Sequence, residues 1–165
     1  MFSVIPRTRE AARTLGCRCD ECPLKDIETA PVHSYSPQFP GPVAYVGEGP
    51  GADEELTGEP FVGRSGELLR REARAVSHPL ETSFVGNVTR CRFPFDLSEA
   101  DRNRAARACV PGLLKELEAL QPYPRVVVLL GKVAARAFDL AKWWKRQGYV
   151  HRMEIGDGGV INLGP

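Results

Sequence analysis

The chain has 165 residues, enough for one ordinary domain and short for two. At 42% hydrophobic and 26% charged its composition is that of a folding chain, and a disordered one is excluded. The formal net charge of +1, from 22 Lys+Arg against 21 Asp+Glu, neither requires a polyanionic partner nor excludes one, because such binding depends on local clustering.

Read from its start, the chain meets Arg7, Arg9 and Glu10 before any apolar run develops, which is not the pattern of a secretory signal. The longest aliphatic stretch, Val126 to Leu130, is far short of the roughly 20 residues a membrane span needs. A cytoplasmic, reducing setting with no membrane association is therefore expected. Cys17, Cys19 and Cys22 follow close together, and Cys91 and Cys109 lie far downstream. A reducing compartment disfavours disulfides. A Cys-x-x-Cys pair with two later cysteines is instead a metal or cluster pattern, which needs four thiolates and leaves one of the five spare. Spacing alone does not choose between zinc and iron–sulfur.

Residues 23–42 carry Pro23, Pro31, Pro37, Pro40 and Pro42, which forbid a long helix and predict an extended segment. Val43-Ala44-Tyr45-Val46 reads as a short buried strand running into Gly47-Glu48-Gly49-Pro50-Gly51, a loop where backbone can approach a ligand closely. Ser65 is placed to cap a helix reaching about Val76, with Leu68, Leu69, Ala73 and Val76 at helical spacing. A second strand covers 83–88. Ser98 and Asp101 form a capping-box pattern opening a helix through Arg107, and Pro111 is expected to break it and start another that ends near Leu120. Arg125 to Leu130 reads as a continuous apolar strand buried on both faces, and Gly131 precedes a helix to about Leu140. Strands alternating with helices predict an α/β fold, a three-layer α/β/α sandwich around a mainly parallel central sheet. In such folds ligands bind beyond the carboxyl ends of strands, where Gly47–Gly51 and Asn87 would lie. Two arginine groups, at 64, 70, 71 and 74 and at 90, 92, 102, 104 and 107, read most simply as solvated helix faces.

The run Gly47-Glu48-Gly49-Pro50-Gly51-Ala52-Asp53-Glu54-Glu55, with Gly58-Glu59-Pro60-Phe61-Val62-Gly63-Arg64-Ser65-Gly66-Glu67-Leu68-Leu69, closely resembles the signature of the iron–sulfur uracil-DNA glycosylases, the fourth family of the uracil-DNA glycosylase superfamily. Asn87-Val88-Thr89-Arg90-Cys91-Arg92 resembles that family's strand-end segment. Cys19-Asp20-Glu21-Cys22-Pro23-Leu24 resembles its amino-terminal pair, Cys109-Val110-Pro111 its last ligand, and Leu129-Leu130-Gly131 its third strand. The likeness covers roughly residues 15–140 in the right order.

This resemblance implies a single domain over 1–165, with 1–42 as a Pro-rich, cluster-ligating arm. It implies a [4Fe-4S] cluster of structural role at Cys19, Cys22, Cys91 and Cys109, with Cys17 spare and zinc at the same thiolates as the rival. Phe61 matches the aromatic on which the uracil ring stacks, and Asn87 the amide that reads the uracil edge; Gly49 belongs to the same substrate loop. Glu48 matches the acidic residue at the strand end and Glu54 the second acid of that loop. Hydrolysis of an N-glycosidic bond develops positive character on the sugar, which a fixed carboxylate stabilises while orienting a water. Glu48 is the favoured catalytic residue, with Glu54 and Glu55 in support. The implied activity is excision of uracil from DNA, single- or double-stranded, by a monomer, after the base has left the stack. The alternative is a degenerate glycosylase fold that binds such DNA without cleaving. It draws on one departure: the family's His-Pro-Ser motif after the last strand is met here by Gly164-Pro165, and Gly164 offers no donor to a departing uracil anion. Losing one preorganised donor costs on the order of 10²–10³ in rate. The nearest histidine, His151, falls in an expected strand and reads as structural.

Overall fold

The computed structural model describes residues 6–120, 124–141 and 159–162. Within them the strands β1 (Val43–Gly47), β2 (Phe84–Asn87), β3 (Val126–Leu129) and β4 (Gly159–Asn162) form one sheet in the order β2-β1-β3-β4. β1 runs parallel to β2 and to β3, and β4 closes the far side antiparallel to β3, so the sheet is mainly parallel as expected. Its two faces differ in partner. Ala44, Val46, Phe84 and Val88 pack with Leu113, Leu117 and Phe138 from α4 (Glu99–Glu118) and α5 (Lys132–Ala141). Val43, Tyr45 and Val85 face Ala73 and Leu69 of α3 (Arg64–Ala75), together with Leu80. Helices on both faces of the sheet give the three layers.

Several local details depart from the expected elements. α3 begins at Arg64 with Gly63 as its cap, not at Ser65. The Gly63 N–H is already engaged by Glu54, and the first helical bond runs from Glu67 N–H to the Gly63 carbonyl at 2.9 Å. A short helix that propensity did not mark, α2 (Ala52–Thr57), follows the glycine loop directly. β3 is not buried on both faces: Val127 and Leu129 are buried while Val126 and Val128 are half-buried.

The largest departure is Pro111, which does not break α4. The helix opens at Ser98, whose hydroxyl accepts from the Asp101 N–H at 3.1 Å, and runs unbroken through twenty residues. A proline inside a helix orphans the carbonyl four residues earlier. Here that carbonyl, Arg107, accepts from the Arg18 guanidinium at 3.0 Å, and the next, Ala108, accepts the Arg18 backbone N–H at 2.8 Å. The arm therefore supplies the donor that the helix lacks.

The arm begins with α1 (Arg9–Thr14) and a single 3₁₀ turn at Cys19–Glu21, then is extended as the prolines predict. Tyr35 exchanges both backbone hydrogen bonds with Val85, so the arm lies along the otherwise free edge of β2. Among the described residues no helix is long and apolar enough to cross a membrane.

Candidate functional site

The glycine loop sits where β1 ends. Beyond the named strands the parallel ladder continues: Val88 N–H donates to Gly47 O and Thr89 N–H to Glu48 O, both at 2.9 Å, and the Thr89 hydroxyl adds a second bond to Glu48 O at 2.9 Å. Glu48 and the Asn87–Thr89 segment are thus fixed side by side by backbone geometry. The two residues expected to hold the substrate meet over one glycine. A Cβ built on Gly47 would come within 2.6 Å of both the Asn87 amide oxygen and the Phe61 ring, so only glycine lets both side chains approach there. Phe61 takes a left-handed backbone conformation (φ 58°), costly for a bulky side chain and held by its surroundings. One of those is Gly66 in the first turn of α3, where any Cβ would overlap the Phe61 carbonyl.

Asn87 and Phe61 line one pocket with Gly49, Glu54 and Arg64. Asn87 is only 7% exposed, and its side-chain amide makes no hydrogen bond among the described residues. A buried amide without a partner is the exception in folded proteins, and one facing a pocket is available to a ligand.

The acidic residues separate into distinct situations. Glu54 is buried, and both of its oxygens are taken: Oε2 accepts from Gly51 N–H and Oε1 from Gly63 N–H, each at 2.9 Å. It braces the glycine loop against the Phe61–Gly63 segment. Glu55 is tied to the Thr29 hydroxyl (2.5 Å) and to Arg92 (3.3 Å). Glu48 is half-buried, and its carboxylate has one side-chain partner among the described residues, Arg102, whose Nη1 lies 3.5 Å from Oε1. Arg102 is a residue that sequence reading left among the solvated arginines. It reaches Glu48 from α4, 54 residues away, and no local pattern signals such a pairing.

On the other side of the same strand end, Cys17, Cys19, Cys22, Cys91 and Cys109 all line a second cavity with Arg9. The four cysteines expected to act as ligands are therefore brought together, and Cys17 joins them. Burial pushes the Cys91 thiol up to about 11 and raises Cys19 and Cys22. Cys17 and Cys109 lie 3.5 Å apart and share a hydrogen bond. That bond, then the nearby Arg90 charge, lowers Cys17 below its ordinary value, while the same bond and burial hold Cys109 well above its own. Among the described residues no three His, Cys, Asp or Glu side chains gather as tightly as a single metal ion requires.

A buried network lies beside this cavity. Arg90 is 2% exposed and pairs with Glu116 at 2.5 Å, its Nε approaches Cys17 Sγ at 3.4 Å, and its Nη1 faces His33 Nδ1 at 3.4 Å. Ser34 donates to the same Glu116 oxygen at 2.9 Å. Charged groups this buried persist because each is paired.

The family model described as Uracil DNA glycosylase superfamily matches residues 33–161, most of the chain and all of the strand-end pocket. The chain belongs to this superfamily. Similar relatives within it carry the name Type-4 uracil-DNA glycosylase. The protein from Archaeoglobus fulgidus is 34% identical over 126 residues, 74% of this chain and 61% of the relative. That from Pyrobaculum aerophilum is 34% identical over 119 residues (72% and 58%), and that from Thermotoga maritima 36% over 121 (73% and 60%). The chain thus spans about three-fifths of the length of the curated relatives it matches. Gly164 and Pro165, aligned by expectation with the His-Pro motif, and His151 lie outside the described residues.

Proposed function

We propose that this chain is a uracil-DNA glycosylase of the iron–sulfur class, which hydrolyses the N-glycosidic bond of uracil in DNA. The observation that carries this reading is the convergence over Gly47 of the Phe61 ring and the Asn87 amide, which has no partner among the described residues, with the Glu48 backbone fixed beside the Asn87–Thr89 segment. An aromatic face stacks any base, for roughly 1–3 kcal/mol, and so binds without selecting. The amide selects: its acceptor and donor pair with uracil N3–H and O4, whereas cytosine presents the opposite pattern, a discrimination of about 1–3 kcal/mol. Glu48 is the carboxylate left for charge development on the sugar and for orienting a water: Arg102 meets its Oε1 at 3.5 Å, whereas both oxygens of Glu54 are spent on backbone donors. Glu54 then serves by holding the Phe61–Gly63 segment in place, and Gly49 lines the same pocket while leaving room for the Thr89 hydroxyl that bonds the Glu48 carbonyl. The partner is DNA containing uracil, single- or double-stranded, with the base turned out of the stack.

Cys19, Cys22, Cys91 and Cys109 would hold a [4Fe-4S] cluster. The donor set supports it: soft thiolates drawn from an arm, a strand end and a helix line one cavity. When bound, the cluster would supply the positive charge that ionises these raised thiols and would tie the arm to the sheet. We read 1–165 as one domain on the same grounds, with 1–42 as the ligating arm and a single chain as the working unit.

The test is an end-labelled, single-stranded oligonucleotide with one uracil, incubated with the cluster-loaded protein and then treated with hot alkali. Strand breaks at uracil and none at a thymine control are expected, with Glu48→Gln abolishing them while leaving DNA affinity nearly unchanged. Uracil-selective binding without breaks would instead establish a binder, and neither breaks nor binding would overturn the reading.

A further inference from the structure

Arg102 stands at the first turn of α4 and makes three contacts with one guanidinium. Nη1 lies 3.5 Å from Glu48 Oε1, Nε donates to the Leu97 carbonyl at 3.2 Å, and the guanidinium carbon sits 5.4 Å from the centre of the Phe93 ring. The Leu97 bond and the Phe93 ring hold the fork from two directions, so the nitrogen facing Glu48 has little freedom. Its base is equally fixed: the Arg102 N–H donates to the Ser98 carbonyl at 2.9 Å, and Ser98 caps the helix. Glu48, by contrast, has its backbone pinned to Thr89 and its carboxylate held by no other side chain among the described residues. We propose that Arg102 is the positioning residue for Glu48, setting the carboxylate's rotamer from α4 so that it faces the sugar of a bound nucleotide.

This rests on the reading of Glu48 as the carboxylate that serves glycosidic hydrolysis. A positioning group acts on the bound complex, so its loss lowers the rate at saturating DNA and spares affinity. A displacement of the order of 1 Å at a reacting group costs about 100-fold in rate. A group that touched DNA phosphate would do the reverse: its loss would weaken binding and lower the salt slope by about 1, with the saturated rate kept.

The experiment measures single-turnover excision from the uracil oligonucleotide, DNA affinity by fluorescence anisotropy at several salt concentrations, and the thermal midpoint. The proteins are the unsubstituted chain, Glu48→Gln, Arg102→Ala and Arg102→Lys, all cluster-loaded. Arg102→Ala is expected to lower the saturated rate about 100-fold with affinity within about twofold. Arg102→Lys, which keeps a cation opposite Glu48, is expected to recover at least a tenth of the lost rate at an unchanged midpoint. If Arg102→Ala fails to fold, the lysine variant decides: recovery supports the assignment, and a folded lysine variant slowed 100-fold overturns it. Full rate in Arg102→Ala with excision abolished in Glu48→Gln overturns this inference alone, as does a loss confined to affinity and salt slope. No excision by the unsubstituted chain overturns the reading of Glu48 first, and this inference with it.

Discussion

The pocket at the strand ends takes all its lining residues except Asn87 from between Gly49 and Ser65, whereas the thiol cavity gathers residues from Arg9 to Cys109. The pocket is thus a local object, folded around two glycines and one left-handed Phe61. The cavity is a tertiary object, closed only when the arm meets β2 and α4. They meet in one short segment: Asn87 faces the pocket, Thr89 holds the Glu48 carbonyl, Arg90 anchors the buried ion network, and Cys91 enters the cavity. The difference teaches that substitutions on the two sides should read out differently. Those on the cavity side should act through stability, and those on the pocket side through chemistry.

Glu116→Ala tests this most severely. It leaves the Arg90 guanidinium buried without its carboxylate, and removing one partner of a buried pair costs about 3–5 kcal/mol. Denaturant titration should show that loss, and a midpoint within error of the unsubstituted protein would break the comparison. Gly66→Ala comes next and crosses the divide. Its methyl group would displace Phe61, so overpacking of about 1–3 kcal/mol should accompany a loss of uracil excision larger than the stability change explains. Asn87→Ala sharpens the other side. Because the amide has no partner among the described residues, the denaturation midpoint should stay or rise. Excision should fall roughly 10–100-fold, matching about 1–3 kcal/mol of lost recognition. A lowered midpoint with excision intact would reverse the assignment of Asn87 to the pocket.

The smallest effect is in pH. The His33 Nε2–H donates to the Pro6 carbonyl at 2.9 Å, which leaves Nδ1 facing Arg90, and burial holds its pKa below the ordinary 6.5. Since the folded value is the lower one, unfolding takes up a proton in acid. The contribution is fully present above about pH 6.5 and is lost as pH falls through the folded value. Stability measured across that range should decline toward acid, and His33→Gln should flatten the decline. An equal slope in the variant would assign it to other groups.

Much of the molecule was legible without coordinates. Val43–Val46 and 83–88 announced strands by their apolar runs, Ser98 announced a helix start, and the prolines of 23–42 announced an extended arm. Pro111 misled because its cost depends on whether the orphaned Arg107 carbonyl finds a donor, and that donor, Arg18, is far away in sequence. Ser65 misled because Glu54 had already engaged the backbone of Gly63 and moved the helix start. Arg102 was invisible for the same reason: nothing near it in the chain identifies Glu48 as its partner.

The sequence by itself determined the strands β1, β2 and β3 and the start of α4, the membership of the superfamily through the run from Gly47 to Leu69, and the residue types available for a pocket and a thiol cavity. These follow from local periodicity, turn chemistry and side-chain identity, which act over a few residues. Only the tertiary structure decided that Glu54 is a brace while the Glu48 carboxylate meets Arg102, that Asn87 is buried without a side-chain partner among the described residues, and that Cys17 joins the other four thiols. Those outcomes depend on which distant groups compete for the same oxygen, nitrogen or sulfur, and that competition exists only once the arm, the strand ends and α4 are packed together.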